Sequence, residues 1–116
     1  MKVQMEIKLD VLVHALQARI LTDKTDLEIN GCYISDLLSD VLAHAEPGML
    51  WVTIQTHRNV VSVASTKDIG AVLITCGRQP DAEIVAEASE NGIVLLTTAL
   101  TTYEAAARLW EAGLRE

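Results

Sequence analysis

Met49-Leu50-Trp51-Val52-Thr53-Ile54, Ala71-Val72-Leu73-Ile74-Thr75 and Ile93-Val94-Leu95-Leu96 are short apolar runs, each leading into a polar loop. They are apolar at nearly every position rather than at alternate ones, which suits strands covered on both faces. Between the first two runs, Asn59 to Lys67 fits strand or helix by pattern. Val60, Val61, Val63 and Ala64 form one stripe there, and the surrounding rhythm makes it a helix. Asp81 to Asn91 reads as a helix ended by Gly92, and Thr102 to Ala112 as a closing helix stopped by Gly113. Thr97 to Thr101 is the polar exit of the last strand. The order β-α-β-α-β-α, over residues about 49–113, predicts an α/β domain with a parallel sheet joined by right-handed crossovers.

Upstream of this core the pattern predicts a helix, short strands and a further helix. Ile7, Val11, Leu12 and Leu16 give Met5 to Ala18 helical spacing. Arg19-Ile20-Leu21 reads as a short strand, followed by the polar turn Thr22 to Asp26. Leu27 to Ile34 alternates and contains Gly31, so it reads as one strand that is bulged or ends at the glycine. Ser35 is the expected N-cap of the next helix, with Asp36 in its first turn. Leu37, Leu38, Val41, Leu42 and Ala45 would be its buried face, and Pro47-Gly48 its stop. Trp51 is expected in the core. Trp110, beside Leu109, is expected to pack over the sheet rather than at a subunit contact.

The chain of 116 residues suits one domain with a substantial core, and half of it is apolar, with Ala, Val, Leu and Ile dominant and no Phe. Its net charge of −7 argues against nucleic acid and against an anionic membrane as partners. No run approaches the ~20 apolar residues of a membrane span. The first residues, Met1 to Glu6, lack a signal peptide's apolar centre, so a cytoplasmic location is expected. Cys32 and Cys76 are expected to be reduced, partly buried thiols rather than a disulfide.

Ligands of open α/β sheets bind where the carboxyl ends of parallel strands meet helix amino termini. Three loops meet that description. The first offers Thr53, Gln55, Thr56, His57, Arg58 and Asn59; the second Thr75, Gly77, Arg78 and Gln79; the third Thr97, Thr98, Thr101 and Thr102. Hydroxyls, amides, free helix N–H groups and two arginines suit an anionic small molecule. The threonines also fit plain helix caps, whereas capping does not call for the His57-Arg58 pair. Neither a G-x-x-x-x-G-K-[ST] loop nor a G-x-G-x-x-G motif occurs. His14, His44, Cys32 and Cys76 lack metal-ligand spacing, so no metal or cofactor is expected. Ser62, His57 and Asp68 form a triad on paper only, since nothing in their spacing requires it. Cys76 has a lowered-pKa reading near a helix start, although a small residue at a strand end is the simpler one.

Met49 to Leu109 resembles the DRTGG domain family. That family has a strand of the Leu-Val-Ile-Thr kind, a polar loop with an Asp-Arg pair, and a second strand ending in Thr-Gly-Gly. A Pro-containing loop, a helix, a strand and a helix led by Thr-Tyr or Thr-Phe follow. The matching stretches here are Leu50-Trp51-Val52-Thr53, His57-Arg58, Thr75-Cys76-Gly77, Pro80 and Thr101-Thr102-Tyr103-Glu104-Ala105. Asn30 to Val41 resembles the upstream part of small stand-alone members, so the likeness runs from about Asn30 onward. His57 replaces the acidic residue and Cys76 the first glycine. The resemblance implies a regulatory domain of the kind that accompanies CBS domains and phosphotransacetylases. A similar fold forms the amino-terminal part of HPr kinase/phosphorylase, whose kinase chemistry belongs to a separate domain with a phosphate loop. Fold likeness transfers architecture rather than activity.

The expectation is therefore a non-catalytic, homo-oligomeric regulatory or ligand-sensing module that takes a nucleotide or small anionic metabolite at the strand ends. The alternative is an adaptor that docks on a larger protein and has no small-molecule ligand. A small hydrolase or transferase using His57 as base is the third reading, weakened by the lack of an acid/base constellation.

Overall fold

The computed structural model describes residues 6–23 and 26–115. Part of the amino-terminal reading and of the Thr22 to Asp26 turn lies outside these residues. Helices cover both faces of a five-stranded sheet, of order β2-β7-β6-β5-β4. Four of its strands are parallel: β4 (Cys32–Ile34), β5 (Leu50–Thr53), β6 (Ala71–Ile74) and β7 (Val94–Thr97). The fifth, β2 (Arg19–Ile20), runs antiparallel along β7, with Ile20 opposite Leu96.

Every residue of β5, β6 and β7 is buried. The register aligns Leu50, Ala71 and Val94, then Trp51, Val72 and Leu95, then Val52, Leu73 and Leu96. Strand side chains alternate between faces. Leu50, Val52, Leu73 and Leu96 thus meet Leu9, Leu12 and Leu16 of α1 (Leu9–Leu16) and Ala105 and Leu109 of α5 (Thr102–Glu111). Trp51, Val72, Ile74 and Leu95 meet the opposite layer: Val41 of α2 (Leu38–His44), Val60 to Ala64 of α3 (Asn59–Thr66), and Ala88 of α4 (Ala82–Glu90). Trp51 is fully buried, and its indole N–H donates to the Ser35 carbonyl at 2.8 Å.

The amino-terminal part is tied to this sheet by polar contacts across the chain. The Thr98 hydroxyl donates to the Leu16 carbonyl at 2.7 Å, and Arg108 donates to that of Ala15 at 3.2 Å. Carbonyls left unpaired at the end of α1 are thereby satisfied. The Thr22 hydroxyl accepts from the Leu95 N–H beyond β2. Gly70 lies where a Cβ would come within 2.9 Å of Ile29 and 3.0 Å of the Gly48 carbonyl, so the approach into β6 leaves no room for a side chain.

Five expectations need correction. The helix expected from Met5 to Ala18 runs only from Leu9 to Leu16, because Ile7 and Lys8 pair as a strand, and Val11 of its expected stripe is exposed. Leu27 to Ile34 is not one strand. It is β3 (Glu28–Ile29), antiparallel to β1 (Ile7–Lys8) in a separate two-stranded sheet, followed by β4 in the main sheet. The chain changes sheets at Asn30-Gly31. Ser35 does not cap α2, which starts at Leu38 without a side-chain cap; its hydroxyl accepts from Leu37 N–H, an ST-type turn just before the helix. Leu37 and Leu42 are exposed rather than buried. Trp110 is exposed too, because α5 turns Ala105 and Leu109 to the sheet and leaves position 110 on the outer face. Among the described residues no helix is long and apolar enough to cross a membrane.

Truncation at the sheet centre should be far costlier than on the outer helix surface. Leu73→Ala is expected to destabilise by about 3 kcal/mol, and Leu42→Ala by less than ~0.5 kcal/mol. Urea denaturation followed by circular dichroism checks the contrast.

Candidate functional site

The parallel strands deliver their exit loops to one edge of the sheet, and hydrogen bonds join those loops. Thr75 N–H donates to the Thr53 carbonyl, Thr98 N–H to that of Ile74, Cys76 N–H to that of Leu100, and Gly77 N–H to that of Thr98. The four threonines at the strand ends, Thr53, Thr75, Thr97 and Thr98, are buried. Three of their hydroxyls are engaged within the protein. Thr53 donates to Asp36 at 2.8 Å, Thr75 pairs with the Thr102 hydroxyl at 2.7 Å, and Thr98 holds α1. They form the framework of the edge.

By sequence Asp36 is a first-turn charge of a helix. Its carboxylate instead accepts from the Thr53 hydroxyl and from the Ile54 N–H, both at 2.8 Å. Gln55 adds a bond from its side-chain amide to the Asp36 carbonyl at 3.2 Å. Asp36 thus fixes the start of the first loop from the neighbouring edge connection. No local motif signals this, because the partners lie 17 and 18 positions apart.

Gln55, Thr56, His57 and Arg58 form one wall of an open groove of about 520 Å³; Asp81, Glu83 and Ile84, at the start of α4, form the other. His57 is exposed, and its Nδ1 accepts from Asn59 N–H at 3.1 Å. The imidazole thus takes the first N–H of α3, while Arg58, at the N-cap position, makes no side-chain cap bond. An accepting Nδ1 leaves the ring proton on Nε2, which makes the outer nitrogen a donor. Arg58 Nε donates to Glu87 of α4 at 3.2 Å. That pair is largely solvated and occupies one of the five guanidinium N–H donors. Asn59 is exposed as the first residue of α3. Gly77, Arg78 and Gln79 are exposed on the second loop, which stands outside the lining of the groove.

Thr101 and Glu104 form a reciprocal capping box at the start of α5. The Thr101 N–H donates to the Glu104 carboxylate, which holds that carboxyl below its usual range. Cys76 faces the same helix start. It is exposed rather than partly buried, and its φ of 62° is left-handed, as is that of Gly77 at 69°. The resembled family's first glycine thus falls at a position whose backbone favours glycine. The Thr102 backbone N–H, then the Thr75 and Thr102 hydroxyls and Arg78, favour the thiolate and lower its pKa. Burial has the opposite effect on Cys32, pushing that thiol up to about 12. Both cysteines are free. Among the described residues no group of three or more His, Cys, Asp or Glu side chains is placed to share a metal ion.

The layers and the stitched loops at the strand carboxyl ends define an open α/β domain with a groove at its loop edge. The DRTGG domain model matches residues 11–112, and the chain belongs to that family. Among solved structures it is similar to the CBS and DRTGG domains of the regulatory region of Clostridium perfringens pyrophosphatase, complexed with the activator diadenosine tetraphosphate. The TM-score is 0.76 at 15% identity, over 90% of this chain and 46% of that one. The chain thus spans less than half the length of that structure. No curated protein sequence matches it significantly.

The two thiols should be told apart by alkylation. Iodoacetamide at pH 8 is expected to add once, at Cys76, and to reach Cys32 only on unfolding; intact mass and peptide mapping check this. The backbone at position 76 should make Cys76→Gly about 1 kcal/mol more stable than Cys76→Ala, read by denaturant midpoint.

Proposed function

We propose that this chain is a non-catalytic regulatory module that binds a nucleotide or a similar small anionic metabolite at the loop edge of its sheet. The observation that carries this reading is the groove between the first loop and α4. One wall presents a guanidinium, an imidazole, an amide and a hydroxyl, and the other presents two carboxylates. A bare anion would be repelled by Asp81 and Glu83. A nucleotide combines phosphate oxygens, which suit Arg58 and the His57 Nε2–H, with ribose hydroxyls and an amino group that donate to carboxylates. The Asp81 side chain makes no capping bond to α4, so its oxygens remain available as acceptors. Membership of the DRTGG family supports the regulatory role, and the activator bound by the pyrophosphatase region supports the nucleotide class.

In this reading Gln55, Thr56, His57 and Arg58 contact the ligand. Asn59, Gly77 and Arg78 lie outside its lining and would act on a ligand only at its periphery, and Thr53, Thr75, Thr97 and Thr98 hold the loops that shape it. Arg58 has a limited structural role, since an exposed pair such as that with Glu87 is worth about 0–1 kcal/mol. Its loss therefore separates binding from folding.

A thermal-shift series with adenosine mono-, di- and triphosphate, diadenosine tetraphosphate and inorganic phosphate tests the proposal. A ligand at ~100 times its dissociation constant stabilises by about 2.7 kcal/mol, which raises the melting temperature by several degrees. Arg58→Ala should weaken binding at least ~10-fold by removing charge-assisted hydrogen bonds, with little change in unliganded stability. Arg78→Ala should have a smaller effect. A flat response to every nucleotide, or binding unchanged in Arg58→Ala, would contradict the assignment.

A further inference from the structure

Tyr103, Ala107 and Trp110 recur at helical spacing along the outer face of α5 and form an exposed stripe. Tyr103 is 86% exposed and Trp110 57% exposed, while Ala105 and Leu109 of the same helix are buried. Beside the stripe an open groove of about 580 Å³ runs toward α1, where Ala15 faces Glu104, Ala107, Arg108, Glu111 and Ala112. Val11, one turn before Ala15 on α1, is also exposed. Neither aromatic side chain makes a hydrogen bond or stacks on another ring among the described residues; the Arg115 guanidinium sits 4.6 Å from the Trp110 ring centre.

We propose that this stripe is the contact through which two copies of the chain pair, α5 against α5, about a two-fold axis. The pattern of sizes favours a second copy over an unrelated partner. Small residues, Ala106 and Ala107, lie midway between the two large ones. An antiparallel crossing centred there sets Tyr103 of each copy against Trp110 of the other, and one surface serves both sides, as a two-fold contact requires. The large residues are seven positions apart, roughly 10 Å along the axis, and the alanines between them permit an interaxial approach of about 8 Å.

Charge and area agree. Tyr103, Ala107 and Trp110 carry no charge, and the groups flanking them are of both signs, Glu104 and Glu111 with Arg108 and Arg115, so pairing there does not set one sign against itself despite the net charge of −7. An aromatic side chain offers roughly 200 Å², so at their exposures Tyr103 and Trp110 supply about 300 Å² per copy. That is over a third of the ~800 Å² per partner of a standard interface. The flanks of α5 and the exposed face of α1 lie alongside to supply more. Ile34, Leu37 and Leu42 are also exposed, at the opposite edge of the sheet, but they come from a strand, a loop and a helix and form no such symmetric row.

Sedimentation velocity of the full chain over a concentration series tests the proposal, with tryptophan fluorescence as a second readout. The expected species is a dimer of twice the 12.6 kDa chain mass, with emission moving to the blue on association as Trp110 leaves water. Trp110→Glu should raise the dimer dissociation constant at least ~30-fold, as loss of an aromatic anchor does. Tyr103→Arg, at the more exposed position, should do the same if the first variant folds poorly. Leu37→Glu should leave the dimer intact. A monomer at every concentration, a dimer indifferent to both α5 variants, or one lost only in Leu37→Glu would overturn the proposal. So would finding the stripe occupied instead by a different protein while the chain itself stays monomeric.

Discussion

Burial of β5, β6 and β7 on both faces is the constraint on which the rest of the structure depends. A parallel strand cannot return to its neighbour without a crossover, and apolar side chains on both faces require a layer on each. Leu73 and Val72, adjacent in sequence on β6, look into different cores. Once both cores are filled, the exit loops have one place to go. The edge that carries the groove is thus a consequence of the packing, and Asp36 and the strand-end threonines fix its details.

The same constraint explains what could be read from the chain. The core from Met49 onward was legible because its strands are apolar at successive positions and its helices end at Gly92 and Gly113, both with positive φ. The amino-terminal third was less so. β1, β2 and β3 have two residues each, too few for a period, and the β2 partner lies more than 70 positions away. Leu27 to Ile34 alternates as one strand would, and only the change of partner at Gly31 divides it.

The candidate site was legible in outline. The rule for strand carboxyl ends pointed to the loops at this edge, and the structure brings Gln55, Thr56, His57 and Arg58 together along one wall of a groove there. It was not legible that Asp81 and Glu83 would stand opposite, since the 2- to 3-turn helices that set the loops apart must first be packed. Nor could the pattern separate hydroxyls facing a groove from those bonded inward, because a threonine at a strand end looks the same in both roles. Trp110 illustrates a related limit. A lone aromatic on an amphipathic helix reads as core until its neighbours, Ala105 and Leu109, are seen to take the inner face.

On the proposed function, the groove walled by the first loop and the start of α4 receives the ligand. The most direct measurement is amide chemical-shift mapping by two-dimensional NMR during titration with adenosine triphosphate and diadenosine tetraphosphate. Saturable shifts are expected at Gln55 to Arg58 and at Asp81 to Ile84, with α5 beyond its first turn unmoved. Shifts confined to α5, or none at ligand concentrations in the millimolar range, would contradict that function.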